Sequence, residues 1–384
     1  MGKEYLKLKS VESRQGLALP VISPCGKYVY VVYADSKQNV AELFENKCGN
    51  LKSLEKLLGD SNFVAETGYA NSKFSKFSLV DCKIGQTIFN DARLRIFDKN
   101  FNLVKERIFE NTFNAIGGNF SSDGKYILFT YITQLLPQTS NVLILCAKTL
   151  KTVASTLSAT HSNGAYFFKH GHKTFISIAS GNSSKNPQVD FFAPPADLTV
   201  YRLKHDKLIL IDKKPLPQFP IVTGILNKQK TQNCSEYSTL IGVGTRAAFL
   251  KNENGLSVDN EGFESFLPKN GDEIVIYNFD GCKLKLQISQ NPNMSIIPMS
   301  FNQKLNMVAI GYVNQQICES GYLALYSLCN KDLKLLQSDI SVPIFPVQAN
   351  FSDNGKWFIL GGLNDPNVQI PIYNNVLLYK VSNC

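Results

Sequence analysis

The stretch Val21-Ile22-Ser23-Pro24-Cys25-Gly26-Lys27-Tyr28-Val29 recurs in outline as Phe120-Ser121-Ser122-Asp123-Gly124-Lys125-Tyr126-Ile127 and as Phe351-Ser352-Asp353-Asn354-Gly355-Lys356-Trp357-Phe358. Each copy reads as the end of one strand, a tight turn carrying Gly, and a second strand rich in aromatic and β-branched residues. Units of this kind repeating every few tens of residues restrict a chain to stacked or radial repeat folds, because no unit buries its apolar faces without its neighbours.

A further apolar strand follows at a similar interval: Leu94-Arg95-Ile96-Phe97, Val142-Leu143-Ile144-Leu145, Leu198-Thr199-Val200-Tyr201, Ile274-Val275-Ile276-Tyr277, Leu323-Ala324-Leu325-Tyr326 and Val376-Leu377-Leu378-Tyr379. After most copies, a few polar residues lead into another apolar stretch, as in Asp98 to Val104, which reads as a hairpin into an outer strand. Weaker first halves fit the same register at Tyr166 to His172 and at Ser300 to Met307. The expectation is an all-β chain, one β-propeller of four-stranded blades over residues 1–384, with six blades counted. The interval from Ala34 to Arg93 has room for a degenerate seventh.

The last unit stops at Tyr379 to Cys384, too soon for an outer strand, whereas Glu4-Tyr5-Leu6-Lys7-Leu8-Lys9 alternates polar and apolar residues and belongs to no other unit. Pairing the two ends would remove the exposed edges of an open sheet, so the N-terminal strand is expected to close the last blade. Through the Ser122 to Tyr126 turn and the Ile96-Phe97-Asp98 strand end, the chain resembles the WD40-like and YVTN-type β-propellers. The resemblance is architectural and spans almost the whole chain. The Trp-Asp dipeptide of WD40 repeats does not occur, and the single Trp, Trp357, stands at a turn-to-strand position.

Hydrophobic residues make up 44% of the chain and charged residues 18%, a balance that supplies a large core. No run of about 20 apolar residues exists, and the N-terminus lacks the apolar stretch of a signal peptide. Nine cysteines without paired spacing fit reduced thiols. A cytoplasmic location with no membrane association is therefore expected. The formal charge of +9 invites a nucleic-acid reading, yet the excess is carried by Lys with only six Arg, and Asn is as abundant as Lys. Lysine with asparagine enrichment is what AT-rich coding produces, so a solvated basic surface is the preferred reading.

Three segments depart from the repeat. Residues 36–77 read as an insertion in which Leu51, Leu54, Leu57 and Leu58 have helical spacing between Asn50 and Gly59, a short amphipathic helix. Segments 181–195 and 251–272 read as loops, bearing Phe191 and Phe192 in the first and Phe263 and Phe266 in the second. These eight side chains are the candidate partner-binding residues.

Candidate catalytic and metal residues are lacking. His170-Gly171-His172 aligns with the turn Asp123-Gly124-Lys125 and reads as a turn substitution, and no zinc or calcium spacing accompanies it. Gly242-Val243-Gly244-Thr245 sits within a strand pattern, where glycine allows close backbone packing. Asp98, Asp123 and Asp353 recur in register, which suits turn hydrogen bonding. No cofactor is implied. The leading expectation is a non-enzymatic interaction scaffold for a protein partner, acting as a monomer or a subunit of a larger complex. The second is a hydrolase of the lactonase type working in the central channel, and the third a nucleic-acid-associated propeller.

Overall fold

The computed structural model describes residues 4–382 apart from 15, 35, 37, 86–88, 136–137, 159, 181–195, 217–218, 231–236, 247–272, 291–294, 303, 314–320, 330–331 and 365–374. The described residues form strands and turns and no helix. After β1 (Leu6–Glu12), the first blade is β2 (Leu17–Ile22), β3 (Tyr28–Ala34), β4 (Asn39–Lys47) and β5 (Asn50–Leu58). The second is β6 (Phe63–Thr67), β7 (Lys76–Lys83), β8 (Asn90–Asp98) and the front of β9 (Leu103–Phe120). The back of β9 opens the third, with β10 (Tyr126–Leu135), β11 (Gln138–Cys146) and β12 (Thr152–Ser158). The fourth is β13 (Thr160–His170), β14 (Lys173–Ser180), β15 (Ala196–Lys204) and β16 (Lys207–Leu216).

The fifth is β17 (Phe219–Lys230), β18 (Tyr237–Arg246), β19 (Glu273–Phe279) and β20 (Leu284–Gln290), and the sixth is β21 (Ser295–Asn302), β22 (Met307–Val313), β23 (Gly321–Cys329) and β24 (Asp332–Val342). The seventh is β25 (Ile344–Phe351), β26 (Trp357–Asn364) and β27 (Val376–Val381), completed by β1. The β1–β27 pairing is antiparallel, from Leu6 opposite Val381 to Glu12 opposite Val376. The N-terminal strand is thus the outer strand of the last blade, as the alternation at residues 4–9 implies.

Seven blades are present where the apolar third strands number six. The missing third strand is β4, whose Val40-Ala41-Glu42-Leu43-Phe44 run is buried throughout. A charge in the middle of a strand covered on both faces hides it from an apolar-run count. Glu42 is fully buried, and Arg14 donates to its two oxygens from Nε at 2.8 Å and Nη2 at 3.2 Å. Burial, the largest cause, raises the Glu12 carboxyl against the lowering effect of Arg14. The Arg14–Glu42 pair and the Asn375 amide, which donates to the Arg14 and Gly16 carbonyls at 2.8 and 2.7 Å, fix the passage from β1 into the first blade.

The helix expected over Leu51 to Leu58 is instead the outer strand β5. Residues 36–77 are not an insertion, since they hold the last two strands of the first blade and the first strand of the second. The register gives the reason for the helical spacing. Leu43 faces Glu55 and Phe44 faces Ser53, so Leu54 is the extra residue of a bulge. Past the bulge the pleat changes phase, and Leu51 packs with Phe44 and Ile359 on one face while Leu57 packs with Ala41 and Leu43 on the other.

The recurrent turn has a common hydrogen-bond pattern. Its serine is buried; the Ser23 N–H donates to the Tyr28 carbonyl at 2.8 Å, the Gly26 N–H to the Ser23 carbonyl at 2.8 Å, and the Tyr28 N–H to Ser23 Oγ at 2.9 Å. The same bonds form about Ser121 and Ser352. Gly26, Gly124 and Gly355 have φ of +75°, +70° and +69°, the left-handed region that glycine enters without strain. In the second blade the turn survives in altered letters: Asn71 replaces the serine, and Phe74 takes the left-handed position at φ +53°.

Polar side chains join neighbouring blades. Tyr30 Oη donates to the Ser78 carbonyl at 2.9 Å, Ser78 Oγ to the Gly118 carbonyl at 2.8 Å, and Asn302 Nδ2 to the Ser352 carbonyl at 2.7 Å. Between the last blade and the first, Gln348 and Asn350 both donate to the Pro20 carbonyl at 2.9 Å, and Ile359, Val376 and Leu378 pack against Ile22, Val29 and Tyr33. Gly242 lies in β18 and leaves room for the Phe301 ring of the next blade, which a Cβ would meet at 2.4 Å.

Candidate partner-binding groove

In each blade the first-to-second and third-to-fourth turns lie at one end, and the second-to-third connections at the other. The turn ends of adjacent blades touch: Ser72 Oγ donates to the Ser122 carbonyl at 3.1 Å, and Asn354 Nδ2 to the Cys25 carbonyl at 2.7 Å. Cys25, Cys48 and Cys282 stand in turns on this face, and Cys146 ends β11 beside another. Segments 181–195 and 251–272 connect second to third strands in the fourth and fifth blades, so their flanking strands leave from the opposite end. Phe191, Phe192, Phe263 and Phe266 lie outside the described residues.

Asp123 and Asp98 do serve turns. Asp123 Oδ1 accepts from Ser121 Oγ at 2.7 Å and from the Lys125 N–H at 3.1 Å, and Asp98 Oδ1 accepts from the N–H groups of Asn100 and Asn102 at 2.8 and 2.9 Å. In the last blade the position belongs to Asn354 rather than Asp353, because Asn354 Oδ1 accepts from Ser352 Oγ at 2.8 Å and from the Lys356 N–H at 2.9 Å. In the first blade Cys25 takes that place. His170 ends β13 with its ring edge-on to Phe279 at 5.7 Å, and His172 follows Gly171 in the turn. Among the described residues no three His, Cys, Asp or Glu side chains gather as a metal site.

The turn face carries a groove of about 470 Å³ where the last blade meets the first. Lys9 of β1 and Lys380 of β27 come from the outer half of the last blade; Asn354, Lys356 and Trp357 come from its turn; Cys25, Gly26, Lys27, Asn46 and Cys48 come from two turns of the first blade. Trp357 packs into the core joining the two blades and lies against Gly26, where a Cβ would stand 2.4 Å from its ring. A side chain at 26 would therefore close the groove floor as well as strain the turn. Cys48 sits at φ +55° beside Gly49, whose Cβ would meet Lys9 at 3.1 Å.

Among the described residues no carboxylate lines the groove. Lys27 pairs with Glu45 at 3.5 Å, whereas Lys9, Lys356 and Lys380 have no ion-pair partner among the described residues. The Cys25 thiol is exposed, and the Ser23 hydroxyl 3.6 Å away lowers its pKa against the raising effect of burial, helped by the Lys27 and Cys25 N–H groups. Burial pushes the Cys82 thiol in β7 up to about 12. Alkylation by iodoacetamide at neutral pH should therefore label Cys25 well before Cys82, since the thiolate is the reacting form. Ser23→Ala removes the donor, so the half-maximal point of the Cys25 rate should move to higher pH, read by mass spectrometry. An unmoved profile would show that the hydroxyl does not hold this thiol.

Leu51 and Leu57 are committed to the core, whereas Leu54 is 41% and Leu58 69% exposed on the outer edge of the first blade. The groove residues were within reach of the sequence only in part. Lys27, Lys356 and Trp357 belong to the repeated turn, but Lys9, Cys48 and Lys380 join them only once β1 is placed beside β27 and β5. No helix among the described residues is long and apolar enough to cross a membrane.

Scans against protein-family models and curated proteins return no match. Among solved structures, 1009 chains match, a breadth that specifies architecture and leaves activity open. One is the β-propeller domain of Cps50 (Swd1) from Myceliophteria thermophila, 9% identical, with a TM-score of 0.58, covering 98% of this chain and 100% of that one. With its seven four-stranded blades and end-to-end likeness to that domain, the chain has a β-propeller fold.

Proposed function

We propose that the chain is a non-enzymatic protein-interaction scaffold of the cytoplasm, and the observation that carries this reading is the basic groove between the last and first blades. Its walls are hydrogen-bonded turns whose backbone is fixed by the blades behind them, so a partner meets a surface already shaped for it and little ordering is needed on binding. Three ammonium groups without carboxylate partners among the described residues and one indole offer charge attraction and an apolar contact side by side. Leu54 and Leu58, along the outer strand of the first blade, are further candidate contacts. The free state of Cys25, Cys48, Cys82, Cys146 and Cys282 supports a compartment that keeps thiols reduced.

The test is capture of the tagged protein from its native cell at low and at physiological salt, where the Debye length shortens to about 8 Å. The scaffold reading expects a protein partner in stoichiometric amount at the higher salt. Recovery of the protein alone under both conditions would overturn it.

A further inference from the structure

Resting on the scaffold reading, we infer that the groove between the last and first blades binds an acidic peptide segment of the partner, with Lys9, Lys356 and Lys380 facing its carboxylates and Trp357 facing an apolar side chain. Among lysines at the other turns, Lys285 pairs with Asp280 at 3.1 Å, and Lys125, Lys148 and Lys207 stand singly at separate turns with no ion pair among the described residues; the groove differs in gathering four lysines about one opening. Glu45, next in the chain to the lining residue Asn46, is engaged by Lys27 and Lys47, each at 3.5 Å. Ammonium groups held close together without counter-charges repel one another, and an anionic ligand relieves that repulsion while gaining attraction at the groove wall.

The shape favours a peptide over a nucleic acid. A volume of about 470 Å³ falls in the range of compact ligand sites and takes a few side chains, whereas single-stranded nucleic acid is tracked over roughly 4–16 nucleotides by a longer basic path with several stacking rings. This groove has one indole and no arginine. The two amides at its floor are already committed, Asn46 Nδ2 to the Gly26 carbonyl at 2.9 Å and Asn354 Nδ2 to the Cys25 carbonyl at 2.7 Å. Recognition is left to the ammonium groups, the indole and the exposed rim.

Trp357 is the only tryptophan in the chain, so its emission reports on this groove alone. The full-length protein is titrated with a synthetic peptide of glutamates flanking one phenylalanine, with a lysine analogue of the same length and with an oligothymidylate. The expected result is a saturable change with the glutamate peptide, weakened roughly tenfold or more between low and high salt, with no change for the lysine analogue. The triple variant Lys9→Glu, Lys356→Glu, Lys380→Glu should lose the response, and Lys356→Gln with Lys380→Gln should weaken it while keeping the wild-type melting temperature.

An unchanged emission, equal binding by a folded triple variant, or tighter binding of the oligothymidylate would each overturn the inference. If the triple variant still retains the cellular partner, the groove assignment fails and the scaffold stands. If the peptide binds but no partner exists in the cell, the scaffold reading fails and the groove stands.

Discussion

Replacing Asp81 by alanine should lower the unfolding free energy by about 3–5 kcal/mol, the loss expected when one member of a buried ion cluster is removed and the rest stay behind. Asp81 is 1% exposed in β7, and it holds two arginines of β8 that are themselves nearly covered, Arg93 at 8% and Arg95 at 9%. Arg93 donates from Nε to Asp81 Oδ1 at 2.8 Å and from Nη2 to Oδ2 at 3.0 Å, and Arg95 Nη2 also donates to Oδ2. Alanine would strand both guanidinium groups. Arg93 would keep Asp60 at 3.1 Å and the Phe63 ring 3.8 Å from its central carbon, but Arg95 Nε is already without a partner. Combining Asp81→Ala with Arg93→Met and Arg95→Met removes the charges together, so the triple variant should be closer to wild type than the single one. Denaturant midpoints measure both, and a triple variant weaker than the single one would show that the cluster contributes more than its own neutralisation.

Phe77→Ala should cost a similar amount, about 3–5 kcal/mol, for the lost burial plus the cavity left behind. Phe77 is fully buried at the start of β7, and its ring lies 4.8 Å from Tyr30 of the first blade, 5.8 Å from Phe74 and 5.7 Å from Phe101. Two of these neighbours are held at left-handed backbone positions, Phe74 at φ +53° and Phe101 at φ +55°, so the rings have little freedom to collapse into the space. The denaturant midpoint should fall with an unchanged slope, because the cavity changes stability and leaves the surface exposed on unfolding as it was. Phe77→Leu fills most of the volume and should lose less. Equal losses for alanine and leucine would mean that ring stacking, rather than the cavity, sets the cost.

These two sites also show where the sequence could be read and where it could not. The apolar third strands are visible because each is packed between neighbours on both faces and four of the six form unbroken apolar runs. Leu94-Arg95-Ile96-Phe97 survived an arginine at its second position, whereas Glu42 at the centre of β4 broke the run and hid a whole blade. The outer strand β5 was misread for a related reason. A single bulge residue, Leu54, shifts the pleat and sends Leu51 and Leu57 to opposite faces, so their spacing imitates a helix turn. Period counting assumes one buried face and one phase, and β5 has neither.

The groove was legible in its parts and not as a whole. The repeated turn placed Lys27, Lys356 and Trp357 at corresponding points, and the lone strand at residues 4–9 implied that the chain ends meet. What sequence alone did not supply was the lateral placement that sets Lys9 beside Gly49 and brings Cys48 and Lys380 to the same opening. The eight candidate contacts proposed from pattern divide accordingly. Leu51 and Leu57 are core, Leu54 and Leu58 are exposed rim, and the four phenylalanines lie outside the described residues.

Docking of a partner on the turn face between the last and first blades is read by amide hydrogen exchange of the captured complex against the free protein. New protection should be concentrated at residues 23–28, 46–49 and 352–357 and at the paired ends of β1 and β27. Protection confined to other blades, with these segments unchanged, would contradict docking there.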